Sequence, residues 1–191
     1  MLSEIRDRIA PFIEKVAVPF AKLGLKPNHI TVLALLLSGI SGYLFFEGSP
    51  ILGGVMILIG GFFDIIDGAI ARLTGEVTEF GGVLDSTSDR ISDALIYVGI
   101  LGGGYGTLLG EPIWVFPITA LLTSFLVSYV RARAESAGTG KLDVGIAERA
   151  ERLIILSLGA FVNLIIYALA LVSVLAGATV IQRLYESFKR L

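Results

Sequence analysis

Apolar residues are grouped along the chain into segments long enough to cross a membrane. A helix that spans the hydrocarbon core of a bilayer needs about 20 mostly apolar residues. Four such segments lie at 30–46, 51–66 (continuing toward residue 71), 91–109 and 113–130. The pattern therefore predicts an all-α integral membrane protein.

A further apolar stretch, residues 153–180, contains no charged residue and is too long for one ordinary span. Asn163 lies near its middle, which predicts two helices, over 147–162 and 164–186, with a turn between them. The predicted total is then six transmembrane helices. Five is the alternative, if the long stretch forms a single span.

The N-terminal segment follows a different pattern. Apolar residues recur every three or four positions with charged residues between them, which predicts an amphipathic helix over residues 3–24 lying in the membrane interface. Pro11 and Pro19 predict that this helix is bent or interrupted. The apolar positions are Ile5, Ile9, Phe12, Ile13, Val16, Phe20 and Leu23.

Composition supports a membrane protein with one domain over residues 1–191, of which 28–190 form the six-helix bundle. Hydrophobic residues make up 54% of the chain and charged residues 17%, with a mean hydropathy of +0.82. This excludes a disordered chain and disfavours a water-soluble globule. The net charge of −2 argues against nucleic acid as a partner, and the absence of cysteine excludes disulfides and thiolate metal sites.

The positions of the basic residues predict the orientation in the membrane. All 15 lie in the N-terminal segment, the C-terminal tail or the two connections that follow spans two and four. The other three connections contain none, so the positive-inside rule places both termini and the basic loops in the cytoplasm. A five-span chain would leave the basic tail outside, which favours six spans in the cell membrane.

Two pairs of aspartates mark the candidate chemistry. Asp64 and Asp67 are three residues apart, and Asp85 and Asp89 are four apart, so each pair shares one face of a helix. A charge near the bilayer core costs at least about 2.5–3.5 kcal/mol, a cost that a hard divalent cation bound by carboxylate oxygens relieves. With His29 as the single histidine, a zinc site is disfavoured. The alternative is that the aspartates face a wet vestibule or cap helices.

These aspartates belong to a longer motif. Residues 64–72 read D-I-I-D-G-A-I-A-R, and residues 81–89, after a gap of eight, read G-G-V-L-D-S-T-S-D. The whole segment resembles the signature of the CDP-alcohol phosphatidyltransferases, D-x2-D-G-x2-A-R-x8-G-x3-D-x3-D, at every fixed position. The resemblance implies a six-helix membrane fold, a homodimer and a polar cavity facing the cytoplasm. It also implies transfer of the lipid phosphate of a CDP-linked lipid to an alcohol, with release of CMP.

The resemblance assigns roles to individual residues. Asp64, Asp67, Asp85 and Asp89 would hold Mg²⁺ or Mn²⁺ against the pyrophosphate, and Asp89 would also be the general base. The positions expected to bind the CDP group are Asn28, Thr31, Asp67, Gly68, Ala71, Arg72 and Gly81. Close helix packing is the alternative role for Gly81, and helix capping is the alternative for Asn28 and Thr31.

Three arginines predict the class of acceptor. Arg131, Arg152 and Arg183 approach one cytoplasmic level from three predicted helices, and guanidinium groups match phosphate oxygens well. They therefore favour a phosphorylated alcohol, although they could instead be interfacial anchors. Arg149 is expected to pair with Glu148 or Glu151 in a structural role.

The segments around these arginines resemble the phosphatidylinositol-phosphate (or archaetidylinositol-phosphate) synthase branch of the family. The similar stretches are S-Y-V-R-A-R-A-E at 128–135, E-R-A-E-R-L-I-I at 148–155 and Q-R-L at 182–184. Arg131 stands where that branch often has lysine. The resemblance implies inositol 1-phosphate as the acceptor, bound by Arg131, Arg152 and Arg183.

Other functions remain open from the sequence. The same chemistry could use glycerol 3-phosphate, serine or free inositol, and the lipid could be CDP-diacylglycerol or CDP-archaeol. A cation transporter using the intramembrane aspartates is a remote alternative, because transporters commonly repeat such sites in two halves. The last three predicted spans contain no acidic residue in their interior that matches Asp64.

Overall fold

The computed structural model describes the backbone of residues 2–191 and the side chains from residue 12 onward. Over these residues the secondary structure is entirely helical, which confirms the predicted all-α class. The helices are α1 (Leu2–Lys22), α2 (Pro27–Phe46), α3 (Pro50–Thr74), α4 (Glu79–Gly103), α5 (Val115–Ala137), α6 (Arg149–Phe161) and α7 (Ile165–Arg190).

The long apolar stretch divides at Asn163, as predicted. Helix α6 ends at Phe161 and α7 begins at Ile165. Between them, Asn163 adopts a left-handed backbone conformation with φ of 59°, which asparagine tolerates better than most residues. The Leu164 N–H donates a hydrogen bond to the Gly159 carbonyl at 2.7 Å, and this bond closes the turn.

Four helices in the described part of the chain are long and apolar enough to cross a membrane, namely α2, α3, α5 and α7. Helix α4 contains several charged residues in its first half, and α6 has 13 residues, or about 20 Å at 1.5 Å per residue. Neither therefore qualifies by composition and length alone. The chain is a multi-pass membrane protein, and six spans stay a prediction.

Helix α4 differs from the third predicted segment, 91–109, at both ends. It begins at Glu79, where the Thr78 hydroxyl accepts a hydrogen bond from the Gly81 N–H at 2.9 Å and caps the helix. It ends before Gly104, which adopts a left-handed conformation with φ of 70°. The apolar pattern missed the first three turns because they carry charged side chains, and these turns include Asp85 and Asp89.

Helix α1 runs without interruption through both prolines, so the predicted interruption is wrong, whereas the alternative of a bend stays a prediction. Its apolar face packs against α2 and α3 around a buried cluster of Ala17, Ile30 and Ile66. Val16 and Phe20, on either side of Pro19, join this packing. These contacts offset the backbone hydrogen bond that a proline removes from a helix interior.

Helices α2 and α4 approach each other so closely that their backbones touch. A side chain built on Gly99 would overlap the backbone of Gly42, and one built on Gly42 would overlap the carbonyl of Leu95. Small residues permit this kind of contact between helices in membranes. Because α2 also packs against α3, it holds the two helices that carry the aspartates in fixed positions.

We expect Gly99→Ala to destabilise the protein by about 1–3 kcal/mol, because the added methyl group forces α2 and α4 apart. Thermal unfolding in detergent measures the effect. The matched control is Gly82→Ala in the same helix, where an added methyl group has nothing within 4 Å and stability should stay the same or rise slightly. Equal midpoints for Gly99→Ala and the wild type would contradict the close contact.

Candidate functional site

Helices α3 and α4 bring three aspartates together. One carboxylate oxygen from each of Asp64, Asp85 and Asp89 lies within 4.8 Å of the others, and all three residues are partly buried. Asp64 comes from the second half of α3, whereas Asp85 and Asp89 lie one turn apart near the start of α4. The helical spacing thus predicted the shared face of Asp85 and Asp89 correctly.

Asp67 is buried beside this group but has a different partner. Its Oδ2 accepts a hydrogen bond from the Thr31 hydroxyl of α2 at 2.5 Å. Both side chains are buried, at 6% and 4% exposure. The structure therefore brings Asp67 together with Thr31, and its carboxylate does not join the group of three.

Arg149 contacts the aspartate group, although the sequence predicted a different partner for it. Arg149 Nη1 lies 2.8 Å from Asp64 Oδ2 and 2.7 Å from Asp89 Oδ1. The prediction that Arg149 pairs with Glu148 or Glu151 is therefore wrong. Arg149 precedes Arg152 by three residues in the first turn of α6, so the two share a helical face. This spacing was the signal in the sequence that Arg149 belongs to the site.

The donor set fits a divalent cation. Three carboxylates supply oxygen ligands only, the kind that Mg²⁺, Mn²⁺ and Ca²⁺ prefer. The Oδ1 atom of Asp89 is buried and receives no hydrogen bond from the described part of the chain, because Arg149 approaches it without hydrogen-bond geometry. Arg149 gives this oxygen a nearby positive charge but no hydrogen bond, so the oxygen keeps its capacity to bind a cation directly. These residues can thus hold a divalent metal ion.

A fifth acidic residue, Asp93, has no role predicted from the sequence. It lies on α4 one turn after Asp89 and is buried. Its Oδ1 lies 3.3 Å from Arg149 Nε, and its Oδ2 accepts a hydrogen bond from Arg152 Nη2 at 3.1 Å. The helical continuation Asp85, Asp89, Asp93 was the signal for it, since these positions recur every four residues.

Two of the three arginines predicted to bind phosphate are deeply buried. Arg152 and Arg183 are each 2% exposed, which excludes the alternative that they anchor the protein at the interface. Arg183 donates hydrogen bonds to the carbonyls of Val127 and Val144 and to Glu148. In Arg152, Nη1 donates a hydrogen bond to the Ala147 carbonyl, whereas the buried Nε has no hydrogen-bond partner among the residues that the structure describes.

Arg131 is more accessible than the other two. About a third of its side chain is exposed, and it contacts Glu135 and Asp143, each at 3.1 Å. Arg131 and Arg152 both lie near enough to Arg183 to act on it electrostatically. The structure therefore brings the three arginines into one region at the ends of α5, α6 and α7.

The residues predicted to bind the CDP group form two local pairs at the α2–α3–α4 end. A methyl group on Gly81 would lie 3.7 Å from Asn28 Oδ1, and one on Gly68 would lie 3.4 Å from Arg72 Nη1. Asn28 lies inside the first turn of α2, whose N-cap is Lys26, so it is not the predicted helix cap. Ala71 is half-buried one turn beyond Asp67.

A family model, similar sequences and solved structures all point to one protein family. The CDP-alcohol phosphatidyltransferase family model matches residues 25–182. An archaetidylinositol phosphate synthase of Pyrococcus horikoshii is 43% identical over 191 residues, covering 100% of this chain and 98% of the relative. A phosphatidylinositol phosphate synthase of Mycobacterium tuberculosis is 36% identical over 159 residues, covering 83% of this chain and 73% of the relative.

Solved structures of the mycobacterial synthase have the same fold. The crystal structure with CDP-DAG bound has a TM-score of 0.81 at 33% identity, covering 92% of this chain and 93% of that chain. The structure in complex with manganese and citrate has a TM-score of 0.82 at 33% identity, covering 92% and 88%. The chain therefore belongs to the CDP-alcohol phosphatidyltransferase family, as its aspartate motif predicted, and it is a membrane phosphotransferase of that family.

Proposed function

We propose that this enzyme transfers the lipid phosphate of a CDP-linked lipid to inositol 1-phosphate and releases CMP. The observation that carries the proposal is the position of Arg152. Three successive ion pairs, through Asp93 and Arg149, join this buried guanidinium to the acidic cluster, and its Nε has no hydrogen-bond partner among the described residues. The synthases described above, which are named for inositol phosphate products, support the same acceptor.

The acidic end of the bundle is the proposed site for the pyrophosphate. Asp64, Asp85 and Asp89, with Asp67 beside them, would hold Mg²⁺ or Mn²⁺. A divalent ion bound there supplies positive charge that offsets the pyrophosphate and allows an anionic group to approach. Manganese is the metal named in the mycobacterial structure.

The proposed CDP contacts lie around this cluster. Gly68 and Gly81 leave room for the nucleotide against the helix surfaces, and Arg72 adds positive charge near Gly68. Asn28 borders the space at Gly81. The Thr31 hydroxyl fixes the orientation of the Asp67 carboxylate through its hydrogen bond.

Asp89 is the proposed general base. The acceptor hydroxyl oxygen forms a bond to the lipid-side phosphorus, while the bond from that phosphorus to the bridging oxygen of the pyrophosphate breaks. CMP leaves with the electron pair of that bond, and the hydroxyl proton passes to Asp89. Arg149 keeps Asp89 turned toward Asp64, which fixes the position of the carboxylate.

The acceptor phosphate is proposed to bind where Arg131, Arg152 and Arg183 converge. Charge-assisted hydrogen bonds from guanidinium groups to phosphate are stronger than those between neutral groups. Arg131 is the accessible member of the trio, whereas Arg152 and Arg183 are held in place by buried contacts. An accessible arginine beside two fixed ones gives an anion both a path of approach and a defined site.

The proposed setting is the cell membrane, with six spans formed by α2–α7 and with both termini and the active site in the cytoplasm. The distribution of all 15 basic residues supports this orientation. Within the single domain, α1 would lie along the interface with its inner face on α2 and α3. A homodimer is proposed on the basis of the family.

The choice of acceptor is tested by supplying CDP-lipid, Mg²⁺ and one alcohol at a time to the purified enzyme. We expect CMP release with inositol 1-phosphate and only background release with serine or free inositol, because neither offers a phosphate to the arginines. Glycerol 3-phosphate is the critical comparison, since it is also anionic. Faster release with glycerol 3-phosphate would overturn the assignment of the acceptor and leave the family chemistry intact.

Asp89→Asn should reduce CMP release by about 10²–10⁴-fold, the usual contribution of a general base. The amide keeps the size of the side chain but cannot take the proton. Steady-state rates at saturating substrates measure the loss, and thermal unfolding checks that the fold is retained. Glu186→Gln, which makes the same chemical change on the exposed partner of Arg190, is the control. Activity of Asp89→Asn within tenfold of the wild type would argue against this role.

Arg131→Ala should raise the KM for inositol 1-phosphate by roughly 10- to 150-fold, from the loss of a charged hydrogen bond of about 1.5–3 kcal/mol. The KM for the CDP-lipid should not change. Arg190→Ala is a closely matched control, because both arginines have 34% exposed side chains and pair with a glutamate four residues away. Equal effects of the two substitutions on the acceptor KM would show that Arg131 acts only through general charge.

A further inference from the structure

Asp93 links the two proposed binding regions through direct ion pairs. On one side it faces Arg149, whose Nη1 contacts Asp64 and Asp89 of the acidic cluster. On the other side it bonds to Arg152, one of the three arginines of the acceptor region. These contacts form a continuous chain of charges from the acidic cluster to Arg152.

The link is buried and shielded from solvent. Asp93 is 5% exposed and Arg152 2%. One turn further along α4, Tyr97 is also buried, and its hydroxyl shares a hydrogen bond with Ser124 of α5 at 3.0 Å. Ion pairs in such surroundings are screened much less than surface pairs, so a change at one end of the chain is felt at the other.

Asp93 offers one negative charge to two guanidinium groups. Each arginine therefore competes with the other for the same carboxylate, and each is bound less tightly than it would be alone. Arg149 is compensated further by Asp64 and Asp89. Arg152 contacts the Ala147 carbonyl and lies beside the Tyr97 hydroxyl, and neither of these groups is a carboxylate. The free Nε of Arg152 gives an additional anion a donor at this point.

We propose that Asp93 is a positioning residue that couples metal binding at the acidic cluster to phosphate binding at Arg152. The inference rests on the proposed function, in which Arg152 contacts the acceptor phosphate. Asp64 and Asp89 would be among the residues that hold a divalent cation, and sharing their negative charge with it would weaken their hold on Arg149. Arg149 then binds Asp93 more strongly, and Asp93 releases Arg152 to the phosphate.

The coupling has a defined sign. Metal should strengthen phosphate binding, and phosphate should strengthen metal binding by the same factor, because linkage between two sites is reciprocal. The exchange of partners around Asp93 adds to the direct attraction between metal and phosphate. Removing the charge of Asp93 should therefore reduce the coupling and leave the direct part in place.

The experiment measures Mn²⁺ binding by electron paramagnetic resonance on the full-length protein in detergent, with and without inorganic phosphate. Inorganic phosphate makes no assumption about the alcohol, and inositol 1-phosphate is the second probe. In the wild type we expect phosphate to tighten Mn²⁺ binding by a factor within about 5–150, the usual range for coupled sites. In Asp93→Asn this factor should fall by about threefold or more.

A second readout separates coupling from a general loss of structure. Without metal, Asp93→Asn should bind phosphate more tightly than the wild type, because Arg152 has lost its competing carboxylate. Damage to the fold would weaken this binding instead. Glu186→Gln, with the same change of charge at an exposed pair, should match the wild type in both measurements. Asp93→Glu, which keeps the charge, should recover part of the coupling.

Arg149→Gln tests the same series of ion pairs from the side of the acidic cluster. It decides whether the two sites are coupled if Asp93→Asn does not fold. It should bind Mn²⁺ more tightly, since a competing cation is removed, and it should also show reduced coupling. Equal coupling in the wild type and the variants would overturn the role of Asp93 and leave the proposed function standing. Failure of the wild type to bind either phosphate probe would overturn both.

Discussion

The compensation of buried negative charge is the constraint on which the rest of this structure depends. Asp64, Asp85 and Asp89 gather on two helices of a membrane protein, with Asp67 and Asp93 beside them. In such surroundings, carboxylates need positive charge or hydrogen-bond donors close by. Arg149 and Arg152 of α6 and the Thr31 hydroxyl of α2 meet this need. The polar contacts therefore determine how α2, α3, α4 and α6 are placed relative to one another, as much as the apolar core does.

Much of this arrangement could be predicted from the sequence, because helical periodicity and membrane length are local properties. Asp85 and Asp89 share a face by virtue of their spacing alone, and Asn163 was recognisable as a break within an uncharged stretch too long for one span. The family followed from eight fixed positions in the motif at 64–89, a pattern too specific to arise from composition. The predicted convergence of three arginines also agrees with the structure.

The partners of individual side chains were harder to predict, since they depend on which helices meet. Arg149 was assigned to neighbours on its own helix, yet its partners lie on α3 and α4, up to 85 residues away in the chain. Asp93 had no role because nothing local indicated that α6 would pack opposite it. The charged start of α4 was likewise excluded from the predicted span, as hydropathy does not register charges that other helices neutralise. Pro19 did not break α1, because packing against α2 and α3 outweighs a local preference.

The shortness of α6 has a consequence for how two substrates of opposite solubility can meet. At about 20 Å, this helix is shorter than a hydrocarbon core of about 30 Å, and Arg149 and Arg152 lie in its first turn. A bilayer accommodates a short helix by thinning locally, or polar residues of the adjoining segment occupy the rest of the membrane depth. Here the connection over residues 138–148 leads into α6 and packs on Arg183 through the Val144 carbonyl. In the proposed six-span arrangement, a short α6 that begins with arginines lets dissolved anions approach them, while a lipid can react without withdrawing its tails from the membrane.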